Sequence, residues 1–304
     1  MITVEKLLTK LNGIEVVTKS STLQREVTSP EIARPGLSLV ENSEYFPYER
    51  VLVFGLLETD YISKAELDEE HKRKILSNET PLIVFARGFE PSEHFIEICN
   101  DYNIAVGLTK KNTTKIISQI HKALTYELAP VTREHGVLLN VFGMGVLIKG
   151  ASGIGKSEVA LELVKKGHSL IADDSIIIRN IDDDELVGEA PDLLKNRIEI
   201  RGIGVIDIQK FFGITSVMPS STIDLIVEFN KSDDQEFDRV GNAFITDEIL
   251  DLKIKKIIVP VYPGRSLANL VEVAVSNYQL EYQYGYSSSQ DFLNELNNTL
   301  KDKK

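Results

Sequence analysis

The 304-residue chain contains no tryptophan, a single cysteine and fewer basic than acidic residues. With Cys99 alone, no intramolecular disulfide can form, and such cysteine usage is typical of a reducing compartment. The 34 basic and 46 acidic side chains give a formal net charge of −12, which argues against binding to nucleic acid or to an anionic membrane. No apolar run reaches the ~18 residues of a membrane span. We therefore expect a cytoplasmic protein with neither a nucleic-acid nor a membrane partner.

A change of pattern near residue 130 predicts two domains. Before it, helical patterns alternate with apolar strand-like runs, which are IEVVT, ERVLVFG, PLIVFARG and NIAVGLTK. This alternation is typical of a small, mostly parallel α/β sheet. Pro130 ends the long amphipathic helix that precedes it. We predict a small N-terminal βα domain over residues 1–129 and a second α/β domain over residues 130–304, with Cys99 as a small hydrophobe on a helix face.

The second domain carries a phosphate-binding motif, G-x-x-x-x-G-K-[ST], between a strand-like run and an apolar-periodic helix. Its glycines allow a tight loop whose backbone N–H groups face phosphate oxygens, and the following helix presents its positive end to the same anion. The lysine adds a charge near the outer phosphates, and the final hydroxyl can bind Mg²⁺. The loop comprises Gly150, Ala151, Ser152, Gly153, Ile154, Gly155, Lys156 and Ser157.

Two other classes of nucleotide-binding protein are disfavoured by motif order. A GTP-binding switch protein requires D-x-x-G before N-K-x-D, whereas here residues 230–233 (NKSD) precede residues 238–241 (DRVG). The NKSD tetrapeptide lies in a polar run, where a chance match is common, and is interpreted as a solvated loop. The Ser-Gly-Gly-Gln signature of transporter ATPases is absent from the sequence.

Two adjacent acids, Asp173 and Asp174, follow the apolar run Leu170–Ala172 soon after the loop's helix. The carboxyl ends of parallel strands line the ligand crevice, so we expect the acids at a strand end beside the phosphate. One acid can hold Mg²⁺ and the other can accept a proton from an incoming hydroxyl. Because neighbouring residues of a strand face opposite ways, only one is expected to face the phosphate. The alternative is a capped strand end with solvated acids.

These blocks together resemble the bacterial HPr kinase/phosphorylase family. The resemblance rests on RPGL, HGVLLNVFGMGVLIKG, GASGIGKSEVALELVKKGH, LIADD, EIRGIGVID and DRVG. It implies phosphorylation of a regulatory serine on HPr, the small phosphocarrier of the sugar phosphotransferase system, with Mg-ATP. It also implies the reverse reaction, in which inorganic phosphate attacks phosphoserine and releases pyrophosphate.

The family's fold and setting follow from the same resemblance. Residues 130–304 would form a P-loop kinase core similar to phosphoenolpyruvate carboxykinase, and residues 1–129 would be similar to the N-terminal domain of a cell-wall ligase. Members are bacterial cytoplasmic homohexamers that act in carbon catabolite regulation. Their C-terminal helices help to dock HPr, and the local match here is SSSQDFLNELNNTL.

By analogy, Asp174 is the base in the kinase direction and the acid in the return. The resemblance assigns the other catalytic positions to His135, Lys156 and Arg239, and the Mg²⁺ ligands to Ser157 and Glu199. On the residues alone, other interpretations remain open. His135, at the start of a strand, could be a buried, hydrogen-bonded histidine, and Arg239 could form a surface pair with Asp238.

Two longer segments also match the family. The signature needed in both directions is Glu199, Ile200, Arg201, Gly202, Ile203, Gly204 and Val205, whose glycines could alternatively mark a strand bulge. The segment tied to phosphorolysis is Val261, Tyr262, Pro263, Gly264, Arg265 and Ser266. The family often has arginine where Tyr262 stands, so one phosphate-handling cation is replaced; Arg265 could help to bind the attacking phosphate.

Two rival functions remain open: a kinase of the same fold that acts on a small molecule, and a non-enzymatic module whose binding is gated by nucleotide.

His168, at the end of the loop's helix, is interpreted as a cap that complements the helix dipole.

Overall fold

The computed structural model describes residues 1–36, 46–64, 76–231, 244–286 and Asp291. The chain divides into two compact units, Met1–Ala129 and Pro130–Lys304. Both units combine sheets with helices, so the predicted mixed α/β fold class is confirmed. In the described ranges, no helix is long and apolar enough to cross a membrane.

The first unit is built on a five-stranded sheet with the strand order β2-β7-β6-β5-β4. Its elements are β1 (Ile2–Thr3), α1 (Val4–Thr9), β2 (Glu15–Val16), a 3-10 helix (Ser20–Gln24), β3 (Glu26–Val27), β4 (Ile32–Ala33), β5 (Val51–Phe54), α2 (Leu56–Lys64), β6 (Leu82–Phe85), α3 (Glu93–Asp101), β7 (Ala105–Leu108) and α4 (Thr113–Leu128). Only β2 runs antiparallel to its neighbour in this sheet, so the mostly parallel sheet is confirmed. The continuous apolar runs arise because β5 and β6 are buried on both faces.

Cys99 lies on the buried face of α3, which begins after Ser92; the Ser92 hydroxyl accepts a hydrogen bond from the backbone N–H of Phe95. Burial raises the pKa of the Cys99 thiol, because the thiolate would lose its hydration. The expectation of a small buried hydrophobe is therefore confirmed.

The second unit is built on an eight-stranded sheet with the order β14-β11-β10-β8-β9-β15-β17-β16. Its elements are β8 (Val131–Val141), β9 (Met144–Gly150), α5 (Lys156–Lys165), β10 (Ser169–Ile181), β11 (Glu185–Glu189), a 3-10 helix (Asp192–Leu194), β12 (Arg197–Ile200), β13 (Gly204–Asp207), α6 (Ile208–Phe212), a 3-10 helix (Ile214–Ser216), β14 (Ser220–Thr222), β15 (Leu225–Lys231), β16 (Ile245–Ile249), β17 (Leu252–Val261) and α7 (Leu267–Tyr284). Strands β12 and β13 pair with each other as a separate hairpin, and the short helix α6 follows directly after β13.

The sheet of the second unit is apolar on both faces. Successive side chains along a strand point into two different hydrophobic cores. Val146 and Ile148 of β9 pack with α5 and α7, whereas Leu147 faces a second cluster that includes Ile226. Strands β9, β15 and β17 are parallel, and the remaining pairs in this sheet are antiparallel. The carboxyl ends of the three parallel strands therefore lie along one edge, where β9 enters the phosphate loop.

The expectation that Asp173 and Asp174 stand at a strand end is wrong. Both lie in the middle of β10, which is antiparallel to β8 and continues to Ile181. The register of this pair shifts between Leu170 and Ala172. The apolar residues after the two acids extend the strand, so β10 passes beside the loop instead of ending there.

The close approach of β14 to β9 generates a stability prediction. A Cβ on Gly145 would lie 1.6 Å from the backbone oxygen of Thr222, and both backbone groups of Gly145 are hydrogen bonded to Asp224. Gly145→Ala must therefore separate two strands, and we expect the free energy of unfolding to fall by about 3 kcal/mol. Chemical denaturation of the purified protein measures this change.

Gly143 provides the control, because its φ is +87° and its Cβ would meet no atom within 4 Å. Asparagine tolerates this left-handed conformation, so Gly143→Asn should cost less than about 1 kcal/mol. Equal stability of the two variants would contradict the inferred close approach.

Candidate active site

The phosphate loop joins the end of β9 to the start of α5, which is the strand–loop–helix context that the motif requires. Gly153 and Gly155 have φ values of +75° and +103°, in the left-handed region that glycine adopts without strain. This backbone turns the N-terminal end of α5 towards the loop. The loop is therefore shaped to accept an anion at the positive end of the helix.

A polar pocket of about 200 Å³ opens over this loop. Its walls come from four parts of the second unit: β8, the loop with the first turn of α5, β10, and the β12–β13 hairpin. The lining residues are His135, Ser152, Gly153, Gly155, Lys156, Ser157, Glu158, Asp173, Asp174, Glu199 and Arg201. The structure thus brings the motif residues, both adjacent acids and two signature residues to one place.

Lys156 lies under the loop and is buried. Its Nζ donates hydrogen bonds to the carbonyl oxygens of Gly150 at 2.9 Å and Ala151 at 3.2 Å. These bonds satisfy the buried ammonium and hold it against the loop backbone. Lys156 therefore contributes positive charge from beneath the pocket.

Asp173 ties three elements together from the buried side of the pocket. The Ser157 hydroxyl donates to Asp173 Oδ1 at 3.0 Å, and the Glu199 backbone N–H donates to Oδ2 at 3.1 Å. Only 4% of Asp173 is exposed, and this burial raises the pKa of its carboxyl although the two hydrogen bonds act in the opposite direction. The residue pattern predicted that both acids lie beside the phosphate, whereas the family resemblance assigned a role to Asp174 and none to Asp173.

Asp174 faces the open side of the same pocket. Its Oδ1 lies 3.3 Å from Nδ1 of His135, and the side chains are 68% and 59% exposed, respectively. Asp174 has a φ of +69°, a left-handed conformation that breaks the alternation of side chains along β10. Both acids therefore line the pocket, and the expectation that only one of them faces the phosphate itself stays a prediction.

His135 lies within β8 rather than at its start, and its exposure is inconsistent with the alternative of a buried histidine. The register of β8 and β10 pairs His135 with Ser175, next to Asp174. This pairing explains how two residues 39 positions apart in the chain come into contact.

The signature residues form the β12–β13 hairpin, in which Glu199 pairs with Val205. Gly202 lies in its turn and Gly204 is the first residue of β13, with φ values of +85° and +103°; the register of the hairpin contains no bulge. Ile198 and Ile200 are buried in the core, which leaves Glu199 on the opposite face of β12. The hairpin therefore presents Glu199 and Arg201 to the pocket.

Oxygen ligands of the kind expected for Mg²⁺ are present where α5, β10 and the β12–β13 hairpin meet at the pocket. The Ser157 hydroxyl, the Asp173 carboxylate and the Glu199 carboxylate are hard oxygen donors, the type that Mg²⁺ prefers. Within the described ranges, no group of three or more histidine, cysteine or acidic residues is arranged to hold a metal ion by itself. Mg²⁺ is commonly held by one or two carboxylates together with substrate phosphates and water, so the donor set fits this ion.

The remaining predicted residues are not all in the pocket. Arg239 lies outside the described residues, as do the DRVG block and, apart from Asp291, the C-terminal match SSSQDFLNELNNTL. The segment from Val261 to Ser266 does not line the pocket, although it follows β17 at the same edge of the sheet. In this segment, Arg265 lies 5.0 Å from the ring centre of Tyr262, and Ser266 begins α7.

His168 follows the C-terminal end of α5 as predicted, and its backbone N–H donates to the carbonyl oxygen of Leu163 at 3.1 Å, but its side chain also has a partner on another helix. It is buried, and its Nε2 lies 2.9 Å from Oε1 of Glu272 on α7. Lys166 contacts the other oxygen of Glu272, and these neighbours lower the pKa of that carboxyl. His168 therefore joins the end of the loop's helix to α7.

The burial of Asp173 generates a prediction about stability. Because the folded state raises its pKa, the protonated carboxyl stabilises the fold at low pH, and this contribution is lost as the pH rises through the folded-state pKa. At pH 7.5 Asp173→Asn should raise the melting temperature of the ligand-free protein, by about 2–4 °C for a gain near 1 kcal/mol. The gain should shrink below about pH 4, where aspartate is protonated in both states.

Differential scanning calorimetry across this pH range is the measurement. Asp183→Asn is the matched control, since Asp183 is exposed in a turn and its φ of +60° suits asparagine. A melting temperature for Asp173→Asn below that of the parent at pH 7.5 would show that the ionised carboxylate stabilises the fold.

Comparison with known proteins identifies the family. The family model for the HPr serine kinase C-terminal domain matches residues 126–296, and that for the HPr serine kinase N terminus matches residues 2–124. The HPr kinase/phosphorylase of Peptoclostridium acidaminophilum is 40% identical over 292 residues, covering 95% of this chain and 94% of that protein. The protein of the same name from Exiguobacterium sibiricum is 40% identical over 298 residues, covering 97% and 96%.

Among solved structures, the HPr(Ser) kinase/phosphatase from Coxiella burnetii matches with a TM-score of 0.47 and 33% identity, covering 50% of this chain and 99% of that one. The two family models together account for most of the chain, and the named relatives match it along nearly their whole length. The chain therefore belongs to the HPr serine kinase family, whose curated relatives are HPr kinase/phosphorylases.

Proposed function

We propose that the protein transfers the γ-phosphoryl group of ATP to a serine of HPr and reverses this modification by phosphorolysis. One observation carries the proposal. Asp174 lines the same pocket as Lys156 and Ser157, yet its side chain is 68% exposed. A phosphate held by the loop can therefore meet a hydroxyl that is presented by another protein.

In the kinase direction, the serine oxygen forms a bond to the γ-phosphorus while the bond to the β–γ bridging oxygen breaks. The electron pair of the broken bond leaves with ADP, and the serine proton passes to the Asp174 carboxylate and then to solvent. Phosphoryl transfer of this type requires mainly positioning and stabilisation of charge. His135, 3.3 Å from Asp174, can orient the carboxylate towards the incoming hydroxyl.

In the reverse direction, an oxygen of inorganic phosphate attacks the phosphorus of phosphoserine and pyrophosphate is released. The bond between the serine oxygen and phosphorus breaks. Asp174 delivers to that oxygen the proton that the attacking phosphate gives up, so no net proton is consumed. The phosphate loop, which binds the β-phosphate in the forward direction, supplies the site for the attacking phosphate. Arg265 lies at the same edge of the sheet and can attract this anion, with Tyr262 stacked beneath it.

The electrostatics of the pocket favour Mg²⁺ as a co-ligand of the phosphates. Four carboxylates line the pocket, against the two permanent cations Lys156 and Arg201. An unaccompanied triphosphate would meet net negative charge, which a divalent cation offsets. Ser157, Asp173 and Glu199 are the residues that would hold it. When bound, Mg²⁺ neutralises charge on the phosphate oxygens and lowers the cost of their approach.

The family resemblance supports the wider setting that we include in this proposal. It implies a bacterial homohexamer in carbon catabolite regulation, a core similar to phosphoenolpyruvate carboxykinase and a catalytic role for Arg239. The strand–loop–helix geometry at Gly150–Lys156 supports the P-loop assignment.

Phosphorylation of a small molecule by the same core is the rival activity. The exposure of Asp174 and His135 favours a large acceptor, because a small substrate is usually enclosed by the site that holds it. Incubation with purified HPr, Mg²⁺ and ATP labelled at the γ-phosphate separates the two functions. Label should appear on HPr and be absent from an HPr variant whose regulatory serine is alanine.

Asp174→Asn tests the role of the carboxylate with little disturbance of the backbone, since asparagine accepts the φ of +69°. We expect the rate of HPr phosphorylation and the rate of pyrophosphate release from phospho-HPr to fall by about 100-fold or more, because the proton acceptor is lost. ATP binding, measured by calorimetry, should remain within about threefold of the parent.

Asp183→Asn serves again as the control and should keep both rates. Retention of both rates in Asp174→Asn would exclude Asp174 as the proton-transfer group. ATP binding without transfer to any acceptor in the parent protein would instead support a nucleotide-gated binding module.

A further inference from the structure

The guanidinium of Arg201 lies directly over the phosphate loop. Its Nη2, Nη1 and Cζ atoms are 3.5, 3.7 and 3.9 Å from the position that a Cβ on Gly153 would occupy. Arg201 also lines the pocket that contains Asp174 and Ser157. A side chain at position 153 would project towards this guanidinium, so the glycine leaves space between the loop and the arginine.

Arg201 differs from the other cation of the pocket in its surroundings. Lys156 is buried and donates to two carbonyl oxygens of the loop. Arg201 is exposed, and no carboxylate of the described residues forms an ion pair with it. An arginine that lines an anion site without a carboxylate partner has all of its donors available to a phosphate.

The hairpin that carries Arg201 packs against the same core as α5, the helix that follows the phosphate loop. Ile198 and Ile200 are buried in the core that also contains residues of α5, and the Glu199 N–H donates to Asp173. Asp173 in turn accepts a hydrogen bond from Ser157. Arg201 follows this anchored strand directly, so the fold sets the position of its backbone relative to the loop.

From this placement we infer that Arg201 is a phosphate clamp, which binds the phosphoryl group that undergoes transfer from the side opposite Lys156. The inference rests on the proposed function, because it assigns a role within that reaction. The reacting phosphorus must lie near Asp174, and Arg201 lines the same pocket and lies over the loop that holds the phosphates. The planar guanidinium can make two parallel hydrogen bonds to one phosphate, which a lysine cannot reproduce.

The clamp should distinguish nucleotides by their outer phosphate. ADP lacks the group that Arg201 contacts, whereas a non-hydrolysable ATP analogue carries it. Calorimetry in the presence of Mg²⁺ should show that Arg201→Gln weakens binding of the analogue by about tenfold or more while ADP binding stays within about twofold. Arg201→Lys should fall between the parent and Arg201→Gln, because it keeps the charge and loses the fork.

The same variants should also change the kinetics of phosphoryl transfer. With HPr as acceptor, kcat of Arg201→Gln should fall by about 100-fold, as expected for loss of a cationic donor to a transferring group. In the reverse reaction the KM for inorganic phosphate should rise by about tenfold or more. Arg197→Gln is the matched control, since Arg197 begins the strand that Arg201 follows, is exposed and donates to the backbone oxygen of Leu193 outside the pocket.

The outcomes separate this inference from the proposed function. Equal weakening of ADP and the analogue by Arg201→Gln would mean that the residue only supports the loop, and unchanged binding of both would exclude it from the site. If the parent fails to phosphorylate HPr but Arg201→Gln still loses the analogue selectively, the acceptor assignment fails while the clamp stands. A thermal melt of each variant, compared with that of Arg197→Gln, identifies any loss caused by misfolding.

Discussion

The buried carboxylate of Asp173 is the constraint on which the rest of the pocket depends. It accepts hydrogen bonds from the Ser157 hydroxyl at the start of α5 and from the Glu199 N–H of the β12–β13 hairpin. Three elements that are distant in the chain are thereby held at fixed positions around one group. Because burial opposes ionisation of this carboxylate, the site carries a cost in the absence of ligand. A cation bound beside Asp173 would offset that cost.

Asp173 and Asp174 are adjacent on β10 and have the same side chain, but their surroundings differ. Asp173 is buried and hydrogen bonded, whereas Asp174 is exposed and, within the part of the chain that the structure describes, its carboxylate pairs with the imidazole of His135. The left-handed backbone at Asp174 makes this possible, because a regular strand would send the two carboxylates to opposite faces. In the proposed reaction one acid organises the phosphate side and the other serves the acceptor.

Local patterns were sufficient to predict the phosphate loop and its flanking elements. The glycine spacing, the apolar run before Gly150 and the periodic helix after Lys156 are all contained within about two dozen residues. The alternation of the first 129 residues likewise predicted a mostly parallel sheet, because each βα unit is read from its own stretch of chain. Such features need no knowledge of which strands pair.

The arrangement around the acids could not be predicted in the same way. The parallel-sheet rule placed Asp173 and Asp174 at a strand end, but β10 pairs antiparallel with β8 and continues past them. That pairing also sets His135 beside Asp174, a contact that no local pattern encodes. The register of β10 against β8 and the docking of the β12–β13 hairpin are long-range properties of the folded chain, as is the position of Arg201 over Gly153.

The geometry also accounts for why one pocket can serve both directions of a phosphoryl transfer. In the proposed reaction the loop would bind phosphate through backbone N–H groups and Lys156, and these donors would be the same whether the phosphate belongs to ATP or is the attacking anion. In the proposed reaction the exposed carboxylate of Asp174 would accept a proton in one direction and return one in the other, with no change in its position beside His135. Since neither direction requires a covalent intermediate on the enzyme, the direction of net transfer would follow from the concentrations of ATP, phosphate and pyrophosphate rather than from a change in the site.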